Sequence, residues 1–415
     1  MKSVSKGTVR GELKAPPSKS MAQRAVAAAS LIRGRSTIVM GTPCDDIQSA
    51  LRAARALGAN VDVSPGKVDI TGFARMPAPA MDCGEAGLCL RMFSAVSALF
   101  DRQIVLEARG SLSRRPVDML ASPLQQLGAL CQTDNGVPPV QIQGPLQPGQ
   151  VTVDATESSQ FLTGLLIALA NVDGKSTIFA PGLKSKPYVQ MTVDLLQHVG
   201  ATIETRQDLE EIVIQGRRDY APFTYDVPGD WSGASFLLAA GAIAGPLTVT
   251  GVDPASSQAD RKMLDAVTLA GAHVTLMNNA VSVAPGPLAA FEFDATHCPD
   301  LFPPLASLAA NCRGTTRIAG VHRLANKESN REKAIIEEFG KIGIGISVAG
   351  DVMHITGGAA HGNAVDSHSD HRIAMAMAVA ALTAEGTVHI EGDDSINKSY
   401  PDFFEDMLKV GAQVR

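Results

Sequence analysis

A short phrase recurs six times along this chain at an almost constant interval. The segments ALGANV, QLGALC, HVGATI, LAGAHV, KIGIGI and KVGAQV put their first glycines at Gly58, Gly128, Gly200, Gly271, Gly343 and Gly411, spaced 70, 72, 71, 72 and 68 residues apart. A fixed period of this length marks one supersecondary unit repeated in series. Each glycine closes an amphipathic helix. In the first copy Ile47, Ala50, Leu51, Ala54 and Leu57 form one apolar stripe, and the glycine just beyond is the expected left-handed cap. In the second copy Pro116 fits a first helical position, with Val117, Leu120, Leu124 and Leu127 as the stripe.

Upstream of each surface helix lies a short β-rich run: STIVMG, QIVLEA, STIFAPG, LTVTGV, TTRIAGV and TVHIEG. Before each run comes a helix rich in Ala and Leu, such as MAQRAVAAASLI, SQFLTGLLIALA or HRIAMAMAVAAL. These helices are apolar almost all round, which predicts burial inside a domain. One unit is therefore buried helix, strand, surface helix and further strands, six times over. A chain of 415 residues accommodates two domains, and three units per domain is the natural grouping. The polar segment Gly216 to Gly229 should hold the crossover. The first 16 residues read as one strand belonging to the second domain. The expected division is thus 17–227 for one domain and 1–16 with 228–415 for the other.

Composition excludes several classes of function. The net charge is −6 and aromatic residues make up 4%, so neither a polyanion-coating surface nor a stacking platform for nucleic acid is expected. Six cysteines without a CxxC pair read as thiols in a reducing compartment, not as a disulfide frame. The basic N-terminus lacks the apolar core of a signal peptide, and the apolar stretch Phe236 to Val252 is broken by Gly241, Gly245 and Pro246. The expectation is a cytoplasmic protein that meets neither membrane nor nucleic acid.

The informative polar residues gather at helix starts. Lys19-Ser20, Ser158-Ser159-Gln160, Asp300 and Asp370-His371-Arg372 open buried helices; Asp45-Asp46, Arg115, Ser185 to Tyr188, Lys327 to Arg331 and Lys398 open surface helices. Helix N-termini present unbonded N–H groups and partial positive charge, which suit phosphate and carboxylate. If the buried helices of a domain point the same way, their starts converge on one face. Two such faces turned toward each other would trap anions between domains. Ser20, Ser158 and Ser159 are equally readable as helix caps, and Asp45 and Asp46 as first-turn residues that complement the dipole. The run Ser367-His368-Ser369-Asp370-His371 has neither a nucleophile elbow nor a second cluster with metal-ligand spacing.

Taken together, the motifs are far more specific. Pro17-Ser18-Lys19-Ser20-Met21-Ala22-Gln23-Arg24 resembles the opening of the 5-enolpyruvylshikimate-3-phosphate synthases. So do Ser158 to Phe161, Ser185 to Tyr188, Lys327 to Arg331, Asp370 to Arg372 and Asn397 to Asp402, all in family order. The resemblance implies an α/β fold of two domains, each of three βαβαββ units in an inverse α/β barrel-like arrangement. It also implies transfer of the enolpyruvyl group of phosphoenolpyruvate to shikimate 3-phosphate, by a monomer, with no metal or cofactor. Asp300 is then the base for the hydroxyl and Glu328 the group exchanging the C3 proton, with Lys19 as a third catalytic residue. Lys19, Gly87, Arg115, Gln160, Arg331, Arg372 and Lys398 fall at the phosphoenolpyruvate site. Lys19, Ser20, Arg24, Ser158, Ser159, Gln160, Ser185, Asp300, Arg323 and Lys327 fall at the shikimate 3-phosphate site. Domain closure on binding shikimate 3-phosphate is expected.

Two residues depart from the family pattern. In Cys83-Gly84-Glu85-Ala86-Gly87-Leu88-Cys89-Leu90-Arg91, Glu85 stands where the family has an amide and Leu88 where it has a hydroxyl. A carboxylate beside a bound phosphate weakens binding unless it pairs with a cation, for which Arg91 and Arg115 are candidates, or points away. The competing readings are an enolpyruvyl transferase with a different acceptor and a non-catalytic phosphosugar-binding relative.

Overall fold

The computed structural model describes residues 1–415 other than 74, 157 and 218. The chain forms two compact units, one from Lys19–Val227 and one from Met1–Ser18 with Pro228–Arg415. Pro17 and Ser18 go with the latter, because Pro17 bridges to Gly229 and the Ser18 N–H bonds the Pro228 carbonyl at 2.8 Å.

Among the described residues the strands make six sheets of four strands, one per repeat. The third repeat shows the pattern. Gln150–Thr152 pairs in parallel with Gly174–Phe179, which pairs antiparallel with Glu211–Gly216, and that in turn with Thr202–Arg206. The buried helix Gln160–Ala170 makes the crossover that the parallel pair requires, and Lys186–His198 covers the other connection. The unit is therefore βαβαββ.

Three sheets are closed by strands from elsewhere in the sequence. Thr224–Asp226, inside the expected crossover segment, pairs in parallel with Arg35–Val39 and completes the first repeat. Arg218, in the same segment, lies outside the described residues. The N-terminal segment forms two strands instead of one. Lys2–Ser5 joins the sixth repeat and Gly11–Lys14 the fourth, because Lys6-Gly7 interrupts the apolar alternation and the chain passes from one sheet to the next.

The six repeat glycines all have φ between 84° and 100°. That is the left-handed conformation in which glycine is favoured after a helix. The second surface helix departs from expectation. Pro116 precedes a 3-10 turn, Asp118–Leu120, and a short helix, Ala121–Gln126. Pro123 has no N–H for the carbonyl four residues back, so one continuous helix from Pro116 is not available. The buried helices Gly87–Ser97, Trp231–Ala244 and His371–Ala381 are enclosed almost completely. Gly164 lets Gln160–Ala170 lie against Gly87–Ser97, since a Cβ there would fall 2.4 Å from the Met92 carbonyl oxygen.

Candidate active site

In the unit Lys19–Val227 the three buried helices bring their starts together. Arg24, one turn into Lys19–Ser30, donates from Nε to Thr192 Oγ1 at 2.9 Å and from Nη2 to the Tyr188 carbonyl at 3.0 Å and Thr163 Oγ1 at 3.2 Å. Its Nη1 bonds the Ser20 carbonyl at 2.8 Å. Burial pulls the Arg24 guanidinium down, to about 10, because these partners are neutral oxygens. Lys19 Nζ lies 2.8 Å from Asp46 Oδ2, so Asp46 serves as more than a dipole complement. Arg91 Nη1 donates to Gln160 Oε1 at 3.1 Å, and its Nη2 to the Pro116 carbonyl at 2.8 Å.

Gly87 opens the helix between these groups. A Cβ there would lie 2.9 Å from Arg115 Nη1 and 3.0 Å from Arg91 Nη1, so two guanidiniums converge close against this glycine. Arg115 Nε is a buried donor with no hydrogen-bond partner among the described residues. A buried donor left in this state is costly unless a ligand supplies the acceptor. Ser159 precedes Gln160–Ala170 without a side-chain cap bond, whereas Ser158 Oγ accepts from the Gln160 N–H at 3.4 Å. Ser185 is buried and left-handed, with φ 54°, at the start of Lys186–His198, and likewise makes no cap bond.

In the other unit the helix starts also meet, through charge. Arg372, second residue of His371–Ala381, donates from Nη2 to Asp300 Oδ2 at 3.0 Å and to Ser232 Oγ at 3.1 Å. Asp300 lies in the turn before Phe302–Ala309, and Ser232 is second in Trp231–Ala244. Asp300 Oδ1 accepts from Arg331 Nη1 at 2.7 Å and from Lys327 Nζ at 3.2 Å. Arg331 is the hub. It is fully buried and also bonds Glu328 Oε2 at 2.5 Å and Asp370 Oδ2 at 2.7 Å. Burial alone would lower its pKa, but Asp370, Glu328 and Asp300 outweigh that and hold it well above the ordinary arginine value. Burial lowers Lys327 despite the opposing pull of Asp300. Lys398 Nζ bonds the Ser369 carbonyl at 2.9 Å, and Arg323 sits buried in the turn Val321–Arg323. Arg372 Nε is a second buried donor without an acceptor among the described residues.

Comparison with known proteins bears on this arrangement. A profile of the family EPSP synthase (3-phosphoshikimate 1-carboxyvinyltransferase) matches residues 4–407. Proteins named 3-phosphoshikimate 1-carboxyvinyltransferase from Methanocella arvoryzae and Aeropyrum pernix are each 38% identical to this chain. The alignments span 99% of this chain in both cases, and 99% and 96% of those proteins. The chain belongs to the EPSP synthase family. The solved EPSP synthase of Acinetobacter baumannii shares the fold, with a TM-score of 0.85, 24% identity, and 100% and 99% of the two chains covered. The enolpyruvyl transferase NikO of Streptomyces tendae does so at TM-score 0.81 and 21% identity, over 100% and 98%. The expected α/β enolpyruvyl transferase fold is therefore the fold observed.

Within this family member the two departures from pattern have local explanations. The Glu85 carboxylate lies against the loop Gly110–Ser111 and accepts from the Ser111 N–H at 3.4 Å. A Cβ on Gly110 would fall within 2.5 Å of both its carboxylate oxygens. Leu88 is buried in the hydrophobic core. Among the described residues Glu337, Glu338 and His368 could geometrically hold a metal ion, but the Lys341 ammonium already lies 2.8 Å from Glu338 Oε1 and 3.2 Å from Glu337 Oε1. No helix among the described residues is long and apolar enough to cross a membrane.

Sequence reasoning placed Asp370 in a motif but assigned it no part in the site. It is the residue that joins Arg331 to the start of His371–Ala381, where it accepts from the Arg372 N–H at 3.0 Å. Ser232 and Asp260 were missed altogether. Their only local signal is the helix start Asp230-Trp231-Ser232, where Asp230 caps by accepting from the Gly233 N–H.

Proposed function

We propose that this EPSP synthase family member transfers the 1-carboxyvinyl group of phosphoenolpyruvate to the 5-hydroxyl of shikimate 3-phosphate. The hydroxyl oxygen adds to C2 as C3 gains a proton; phosphate then leaves as C3 gives the proton up. Asp300 takes the hydroxyl proton, and Glu328 delivers and recovers the C3 proton. Lys19, Arg115, Arg331, Arg372 and Lys398 receive the phosphate and carboxylate of phosphoenolpyruvate, with Gly87 and Gln160 shaping the site. Ser20, Arg24, Ser158, Ser159, Gln160, Ser185, Arg323 and Lys327 receive shikimate 3-phosphate. The protein works as a cytoplasmic monomer on these two small molecules.

The supporting observation is that Asp300 and Glu328 are held on one guanidinium, Arg331, at 2.7 and 2.5 Å. Two carboxylates fixed on one rigid fork, beside Lys327 and Arg372, supply an acid and a base together with positive charge for the phosphate that leaves. The test is release of phosphate from phosphoenolpyruvate in the presence of shikimate 3-phosphate, of UDP-N-acetylglucosamine, or of no acceptor. Release with shikimate 3-phosphate alone is expected. Release with only the nucleotide sugar, or with neither acceptor, would overturn the assignment.

A further inference from the structure

Asp260 has no part in the reaction as assigned above, yet it stands directly behind the cationic face of the cluster. It lies in the turn Ala259–Lys262 and is 3% exposed. The Ser232 hydroxyl donates to its Oδ2. The oxygen of that hydroxyl accepts from Arg372 Nη2, which also donates to Asp300. Asp260, Ser232, Arg372 and Asp300 thus form one chain of hydrogen bonds from the interior of the unit to the proposed base. The charged groups acting on Asp260 include Asp300, Arg372 and Asp230, and the Cys298 thiol also faces it.

We propose that Asp260 is a positioning residue for the anion site, which through Ser232 competes with a bound anion for the Arg372 guanidinium and yields when it takes up a proton. An ionised Asp260 draws the Ser232 proton toward itself. That makes the hydroxyl oxygen a stronger acceptor for Arg372, since hydrogen bonds in a chain polarise one another. A protonated Asp260 exerts no such pull, and the guanidinium is free to turn its charge to phosphate or carboxylate. Burial first, and repulsion from Asp300 second, push the Asp260 carboxyl up to about 6, so the changeover falls at mildly acidic pH. An arriving anion favours the protonated form, and by linkage the protonated form favours the anion.

This inference rests on the proposed reaction for its substrate, and the experiment separates the two. KM for phosphoenolpyruvate and kcat are measured from pH 5 to 9 for the wild-type protein and for Asp260→Asn, which keeps an oxygen acceptor for Ser232. Phosphoenolpyruvate titrates identically in both assays, so any difference between the profiles belongs to residue 260. At pH 7.5 the variant should show a KM lower by roughly fivefold or more, with kcat changing less, and the profiles should converge near pH 5. Superimposable KM profiles would overturn the proposal. Ser232→Ala, which cuts the chain but keeps the carboxyl, should narrow the pH dependence in the same way, and gives the answer if Asp260→Asn does not fold.

A second readout does not depend on turnover. Trp231, the single tryptophan of the chain, is buried next to Ser232, so its emission can follow phosphoenolpyruvate binding. If the wild type does not turn over shikimate 3-phosphate but binds phosphoenolpyruvate with a pH dependence that Asp260→Asn reduces, the acceptor assignment fails and the role of Asp260 stands. Equal pH dependence of binding in the two proteins overturns that role.

Discussion

Two buried arginines in each unit keep different company. In Lys19–Val227, Arg24 is bonded by threonine hydroxyls and backbone carbonyls, and Arg91 by the Gln160 amide oxygen and the Pro116 carbonyl. In the other unit Arg331 is held by three carboxylates and Arg372 shares one of them. Neutral oxygens orient a guanidinium without cancelling its charge, whereas carboxylates do both. Their proton affinities follow suit, since burial lowers that of Arg24 while Asp370, Glu328 and Asp300 hold that of Arg331 up. In the proposed function the first unit's pair acts as a receptor for anions. The second unit carries groups that can move protons.

The largest effect expected from this division is at Glu328. Glu328→Gln still offers Arg331 an oxygen but cannot exchange a proton, so kcat should fall by roughly 10²–10⁴-fold with an unchanged melting temperature. Near-normal turnover would remove Glu328 from the chemistry. Stability should distinguish the two kinds of arginine next. Arg331→Met leaves the fully buried Asp370 without its cation and should cost about 3–5 kcal/mol in chemical unfolding. Arg24→Met leaves only neutral oxygens behind and should cost about 1–3 kcal/mol. The reverse order would break the comparison. On the receptor side, Gly87→Ala puts a methyl 2.9 Å from Arg115 Nη1. The guanidinium can swing aside, so KM for phosphoenolpyruvate should rise about tenfold, a change of about 1.4 kcal/mol, with little effect on melting.

Much of this organisation is legible in the repeat. A glycine at fixed spacing after an amphipathic stripe can hardly be anything but a helix terminus, and all six adopt the left-handed conformation. The gathering of polar residues at helix starts is legible as well, because capping and the helix dipole are local effects. What escaped is non-local. The bond from Arg372 to Ser232 joins residues 140 positions apart, and that from Arg331 to Asp370 spans 39. No spacing rule links such pairs. Pro116 misled for a related reason, since its fitness to start a helix mattered less than the missing N–H of Pro123 inside it. The early break between Lys2–Ser5 and Gly11–Lys14 escaped because which sheet each strand joins depends on partners more than 230 residues away.

A further contrast between the units lies in the pH dependence of their stability. Asp69, in the receptor unit, is bonded by Arg35 and Thr37, which hold its carboxyl down to about 2. Its contribution is therefore present above about pH 4 and lost as the pH falls toward 2. Asp260 runs the other way. An aspartate in the unfolded chain ionises near pH 4, whereas burial and Asp300 keep Asp260 protonated to about 6 in the folded protein. Its contribution is fully present below about pH 4, falls as the pH rises through 6, and is constant above. Asp260→Asn cannot lose a proton, so its stability relative to the wild type should grow from pH 4 to pH 7 and then level off. The change expected in chemical unfolding is on the order of 2 kcal/mol. A wild type that instead gained on the variant over that range would mean that Arg372 and Ser232 stabilise the ionised carboxylate more than burial opposes it. Asp260 would then belong with Asp69, as a carboxylate held in its charged form.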